Sequence, residues 1–242
     1  GKMKFYTFGG LTYREGTSYA LYRTPYWVPD PSNLLHDAGT EYQGFQPTFE
    51  TTIMDNNHTV GLEFKALGFD LDLSGTYGRN GVDYMVNNSL NPALGAQSPT
   101  SFEVGGYTFS NTILNLDVSR NLNDKVSIAF GAEYKEDLFS SKAGQEESYV
   151  DGGAQSFPGL QPSNEVSESR NNLGAYGSID VEASDRLLLT GAARYESFSD
   201  FGDNTSWKLG GRYILGDNKG AIRASYGTGF RAPSLHQIYL SN

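Results

Sequence analysis

The sequence predicts an all-β chain on three observations: period-two alternation sustained over segments of about ten or more residues, connections that alternate between short and long, and 29 Gly with 13 % aromatic residues. Strands that long exceed the five or six residues usual in soluble sheets and suit a tilted bilayer crossing. A run of about 18 apolar residues, as a membrane helix needs, is absent. The mean hydropathy of -0.46 fits a transmembrane barrel, whose strands are apolar on one face only. The reading is an antiparallel up-and-down transmembrane β-barrel wall of about nine strands. A soluble sandwich alternates in the same way and is the competing architecture.

The elements follow in order. A first strand, Lys4 to Tyr13, enters a long loop placed near 14–52. A strand from His58 to Ala66 turns at Leu67 and Gly68 into Phe69 to Arg79, and a second long loop, near 81–106, is rich in Asn, Pro and Ser. The chain returns from Tyr107 to Arg120, turns at Asn121 to Asp124 and enters the clearest strand, Lys125 to Phe139. There Val126, Ile128, Phe130, Ala132 and Tyr134 share one face, while Lys125, Ser127, Gly131, Glu133 and Lys135 share the other. A third long loop, near 140–168, has no period. Asn171 to Ala183, a turn at Ser184 and Asp185, and Leu187 to Phe198 come next. A short connection around Gly202 to Asn204 leads to Thr205 to Leu215, then a turn over Gly216 to Lys219, then Ala221 to Phe230.

Short turns on one rim and long loops on the other are what an outer-membrane barrel requires, because only one rim carries recognition. Tyr77, Tyr134, Tyr195, Trp207, Tyr213 and Tyr226 fall on apolar faces near strand ends, where an aromatic girdle lies. Glu63, Lys65, Asp70, Asp72, Asp117, Glu133, Asp180, Arg194, Glu196, Lys208, Arg212 and Arg223 collect on the opposite faces, which a wet lumen would hydrate.

Several classes are set aside. A net charge of -10 opposes binding to nucleic acid. Zero cysteines removes disulfides and thiolate metal sites, and His36, His58 and His236 have no ligand spacing, so neither metal nor cofactor is expected. The acidic pieces Gln145 to Glu147 and Tyr149 to Gly153 lack the spacing of a calcium loop. No serine sits in a Gly-x-Ser-x-Gly elbow, and the chain is not expected to be an enzyme.

The most specific segment is Arg223 to Leu235, RASYGTGFRAPSL. Small residues at Gly227 and Gly229 precede Phe230, Arg231, Ala232, Pro233, Ser234 and Leu235, and Pro233 cannot donate to a sheet ladder. This segment resembles the barrel motif of TonB-dependent outer-membrane receptors. Phe8 to Arg14, Tyr77 to Asn80, Phe130 to Tyr134 and Arg186 to Phe201 resemble strands of the same receptors.

The resemblance implies energised uptake of a scarce nutrient, such as a ferric siderophore, cobalamin or carbohydrate, across the outer membrane of a Gram-negative bacterium. It also implies two protein partners, TonB and the receptor's own plug domain, alongside outer-membrane lipid. The family closes barrels of about 22 strands behind a plug, so nine strands without a plug before Gly1 are expected to be part of a barrel domain. Arg231 is expected to be either a polar anchor at the outer end of the lumen, holding the strand-to-loop transition or the plug, or an ordinary strand-end arginine hydrogen-bonded to loop carbonyls. The loop holding Tyr19, Tyr22, Tyr26, Trp27, His36 and Tyr42 is the candidate ligand-facing surface, its rings suited to stacking; the alternative is that these rings form the loop's own small core. A passive porin or adhesin barrel and a soluble β protein binding a small ligand are the competing functions.

Overall fold

A computed structural model describes residues 3–30, 32–216 and 220–240. Nine strands form one antiparallel sheet in which each pairs with its sequence neighbours: β1 (Lys4–Tyr19), β2 (Thr48–Ala66), β3 (Phe69–Asn87), β4 (Ser101–Asn123), β5 (Val126–Lys142), β6 (Ser167–Ser184), β7 (Leu187–Phe198), β8 (Gly202–Leu215) and β9 (Gly220–Gly227). A short helix, α1 (Leu235–Tyr239), follows. The sheet is open, with no pairing of β1 to β9 among the described residues.

Register confirms the two faces. Lys65 opposes Asp70, Glu63 opposes Asp72, Asp72 opposes Asp117 and Asp117 opposes Gly131, so the polar set read from the sequence lies on one side of the wall. On the other side Tyr77, Tyr134, Tyr195 and Trp207 each stand eight residues from the turn end of their strands (69 to 77, 126 to 134, 187 to 195, 215 to 207). Eight residues at roughly 3.3 Å, tilted by about 40°, raise a ring about 20 Å above the turns, close to the height of an apolar band. Between them Leu73, Leu116, Phe130, Ile179 and Leu189 stay exposed, as lipid-facing side chains do.

The strands run further outward than alternation indicates. β1 continues to Tyr19, β2 begins at Thr48, β3 continues to Asn87, and β4 begins at Ser101. The outer connections are therefore 20–47, 88–100 and 143–166, shorter than the 14–52, 81–106 and 140–168 expected. The reason is physical: above the bilayer both faces are wet, so Arg14, Glu15, Thr51, Thr52 and Asp55 lose the period while the ladder continues. Two other boundaries are corrected. β9 ends at Gly227 rather than Phe230, and a short helix begins at Leu235, the last residue of the motif, where only a strand end was expected. On the opposite rim the turn at Leu67 and Gly68 stands as read, both residues having positive φ (53° and 80°), the geometry that matches strand twist. The turn expected over Gly216 to Lys219 lies mostly outside the described residues.

Two lumen-side tyrosines lie over glycines on the neighbouring strand. Tyr6 opposes Gly61 and donates to Asp72 Oδ1 at 2.8 Å; Tyr176 opposes Gly131 and donates to Asp117. A Cβ at Gly131 would come within 2.5 Å of both the Leu116 carbonyl and the Tyr176 ring. Gly131→Val is expected to displace Tyr176, break its bond to Asp117 and cost about 1–3 kcal/mol. Equilibrium unfolding in detergent micelles checks this, with Gly177→Val, whose position is open, as the control.

Candidate ligand-facing site

The three long outer connections fold into one body. Gln155 is the shared node: its amide donates to the Leu90 carbonyl at 3.0 Å, its carbonyl accepts Ser89 Oγ at 2.8 Å, and its side-chain oxygen accepts Arg23 Nε at 3.3 Å. Asn91 Nδ2 donates to the carbonyls of Glu147 and Val150, both at 2.9 Å. Two small apolar cores close around these bonds, one of Val86, Phe102, Val104 and Ala154, the other of Val28, Phe45 and Leu90. Buried backbone groups in irregular segments need such partners, and here side-chain amides supply them.

Within this body the aromatic candidates separate. Tyr42 packs against the Val28 core and donates to the Val28 carbonyl at 2.8 Å, and the His36 ring lies 5.1 Å from that of Tyr42. Tyr22 donates to the Gln43 carbonyl at 2.8 Å. Trp27 lies half-exposed under the Arg23 guanidinium, Tyr19 stands exposed at the end of β1, and Tyr26 is 91 % exposed. His36 and Tyr42 are thus brought together as loop core, while Tyr26 and Trp27 present their rings to solvent. A polar groove of about 730 Å³ opens between this loop and the ends of β3 and β4, lined by Asn33, His36, Asp37, Asn87, Asn88 and Ser101 among others.

Asp30 organises this loop. It is 5 % exposed and accepts the amides of Leu34 (3.0 Å) and Leu35 (2.7 Å) and contacts His36 Nδ1 (3.0 Å). Burial works to raise its pKa, but the two amides and the imidazole outweigh it, and the carboxyl sits below its ordinary 3.8. A depressed folded pKa contributes stability above the unfolded value, and that contribution is lost as pH falls through the folded one. The loop is therefore expected to loosen in acid below 3.8. Hydrogen exchange at the Leu34 and Leu35 amides should report that transition, and Asp30→Asn should remove it; protection unchanged with pH in the parent would contradict it.

The motif segment does not run out over the rim. After Thr228, whose amide donates to the Trp207 carbonyl at 2.9 Å, the chain crosses the inner face of the wall. Phe230 packs near Phe198 (5.9 Å) and Phe201 (5.7 Å), Leu235 is 1 % exposed, and His236 meets the rings of Tyr107 (5.7 Å) and Phe139 (5.2 Å). The clamp is Arg170 on β6, 3 % exposed. Its Nε reaches both oxygens of Asp200 at 2.9 Å, Nη2 donates to Asp200 Oδ2 at 2.6 Å, and Nη1 donates to the Pro233 carbonyl at 2.6 Å. Beneath the segment lies a cleft of about 340 Å³ lined by Glu133, Lys135, Asp137, Asn172, Glu196 and Arg231, among others. Asp137 Oδ1 and Asn172 Oδ1 are buried there without a hydrogen-bond partner.

The anchoring expected of Arg231 is thus made by Arg170; Arg231 is exposed and lines the cleft. Of the motif, Gly227 ends β9, Gly229 is open, Ala232 and Pro233 lead to the cap, and Ser234 caps α1. Ser234 Oγ accepts the Gln237 amide at 3.2 Å while Gln237 Oε1 accepts the Ser234 amide at 3.0 Å. That Ser-x-x-Gln spacing is a capping-box signal that would have found the helix. Arg170 and Asp200 carry no such signal, because an ion pair between non-adjacent segments leaves no spacing in the chain. No group of three or more His, Asp or Glu is placed to hold a metal ion among the described residues.

Comparison with known proteins agrees with this geometry. The chain is 34 % identical over 77 residues to the vitamin B12 transporter BtuB of Vibrio vulnificus (strain CMCP6), a match covering 32 % of the chain and 12 % of that protein. It is similar in fold to a variant of the ferric enterobactin receptor PfeA from Pseudomonas aeruginosa, with a TM-score of 0.57 and 16 % identity, over 80 % of the chain and 31 % of the receptor. The chain therefore spans about a third or less of either relative. The family model for the TonB dependent receptor-like β-barrel matches residues 3–242. With a match of that extent and a wall of that topology, the chain belongs to the TonB-dependent receptor family, as part of its outer-membrane β-barrel.

Proposed function

We propose that the protein takes up a scarce nutrient across the outer membrane, energised by TonB acting on a plug that fills the lumen, and that this chain supplies part of the wall and the outer recognition loops. The observation that carries this reading is the asymmetry of the wall: three long connections locked into one body on one rim, tight turns on the other. On this reading Tyr26 and Trp27 offer the ligand their rings, and the polar groove beside His36 offers donors and acceptors. The substrate class is a metal chelate or similarly bulky nutrient, as the names of the two relatives suggest.

The test is uptake by cells carrying the full-length receptor. Labelled cobalamin and a panel of ferric siderophores are offered with and without TonB. Accumulation of one of them that disappears without TonB and falls at least tenfold in a Tyr26→Ala/Trp27→Ala double variant at unchanged surface abundance is the expected result. TonB-independent leakage of small solutes would favour the passive porin instead.

A further inference from the structure

The inner face of β8 and β9 carries three cations that the described residues leave without a counter-charge. Arg212 on β8 and Arg223 on β9 are direct cross-strand partners, and Lys208 lies on the same face two steps outward, beyond Gly210 and opposite Gly227. Like charges placed directly opposite in an antiparallel pair repel, since their Cβ atoms stand only about 5 Å apart. None of the ion pairs among the described residues involves any of the three. Among the described residues the nearest strand acids on this face, Asp180 and Glu182, stand two strands from Arg212 behind Thr190 and Leu188, a separation of roughly 10 Å. Asp180 is also engaged, accepting Thr190 Oγ1 at 2.5 Å.

A second observation is independent of the charge count: Arg212 Nε is buried with no hydrogen-bond partner. A buried guanidinium donor left unmade costs more than a neutral one. The three cations border a cleft of about 380 Å³ floored by Gly210 and Ser225. Gly210 has no side chain to fill it, although a Cβ there would make only ordinary contacts at 3.7 Å or beyond. The empty floor is therefore not forced by crowding.

We propose that Arg212, Arg223 and Lys208 form a binding site for an oxyanion, a carboxylate or phosphate group, on the lumen side of the wall. Two guanidiniums facing one another across a strand pair can each present a fork of donors to one planar or tetrahedral anion, while Lys208 adds a point charge. Bound there, the anion relieves the repulsion and satisfies Arg212 Nε. The group can come from a carboxylate carried by another part of the same protein or from a free solute in the lumen. The inference does not depend on TonB drive or on which nutrient is carried.

The experiment is equilibrium unfolding of the full-length receptor in detergent micelles, with and without inorganic phosphate at matched ionic strength, for the parent, Arg223→Gln and Arg212→Gln/Arg223→Gln. Stabilisation of the parent by phosphate, lost in the double variant, supports the site with a free solute as its source. No response to phosphate, together with a tenfold or greater rise in the unfolding constant on neutralising Arg223 alone or both arginines, supports it with an internal carboxylate as the source. Variants as stable as the parent or more stable, with no phosphate response in the parent, overturn the proposal, because the cations then repel one another uncompensated. Arg223 is exposed, so its single variant keeps the test readable if the double variant folds poorly.

Discussion

Arg170→Ala is expected to release residues 228–240 from the inner wall. The side chain is 4 % exposed and that of its partner Asp200 is 21 % exposed, so truncation strands a poorly hydrated carboxylate and removes the one side-chain hydrogen bond to the Pro233 carbonyl found among the described residues. Breaking a buried pair from one side costs about 3–5 kcal/mol, and the partial exposure of Asp200 places this case at the lower end. The guanidinium also covers the Phe201 ring, which belongs to the same aromatic group as Phe230. Tryptic cleavage after Arg231 in the full-length receptor reports the release: held against the wall the bond resists, and in the variant it should be cut at least tenfold faster. Asp200→Asn added to Arg170→Ala should recover part of the lost stability, since no stranded charge remains. Unchanged cleavage would mean that the ring contacts and the helix cap hold the segment unaided.

Phe130→Arg is expected to cost about 2–4 kcal/mol, the penalty for a cation near the middle of a bilayer, whereas Ala129→Arg should be tolerated within about 1 kcal/mol. The two residues are adjacent on β5. Phe130 sits midway between the turn and Tyr134 on the exposed apolar face, and Ala129 opposes Ser119 and Ser178 on the polar one. Unfolding in lipid vesicles measures both, and equal penalties would remove the distinction between a lipid face and a wet face.

Much of the wall was legible because the bilayer enforces period two. Val126 to Tyr134 alternates regularly, and Leu187 to Phe198, framed by turn residues on both sides, has the bounds read from the sequence. Above the membrane that constraint disappears, and the outer ends of β1 to β4 read as loop, although their backbones pair throughout. The site divides in the same way. The Gly-Phe-Arg-Ala-Pro-Ser-Leu segment stands out as sequence, but its course across the inner wall depends on Arg170, Asp200 and Leu235 meeting from three separate segments. Likewise the ring-rich first loop was visible as composition. Which rings turn inward was decided by Asp30 gathering the amides of Leu34 and Leu35, a local capture that composition does not encode.

The central claim is that β5 and its neighbours form a wall with lipid on one side and a wet lumen on the other. These 242 residues contain no cysteine, so single cysteines placed in them are labelled directly once any thiol elsewhere in the receptor has been replaced. Labels at Ser127, Ile128, Ala129, Phe130, Ala132 and Glu133 of the full-length receptor in lipid vesicles should alternate in accessibility. Ile128, Phe130 and Ala132 should be reached by oxygen and shielded from a water-soluble nickel chelate, while Ser127, Ala129 and Glu133 should show the reverse. Nickel access at every position, or no period of two, would contradict the account.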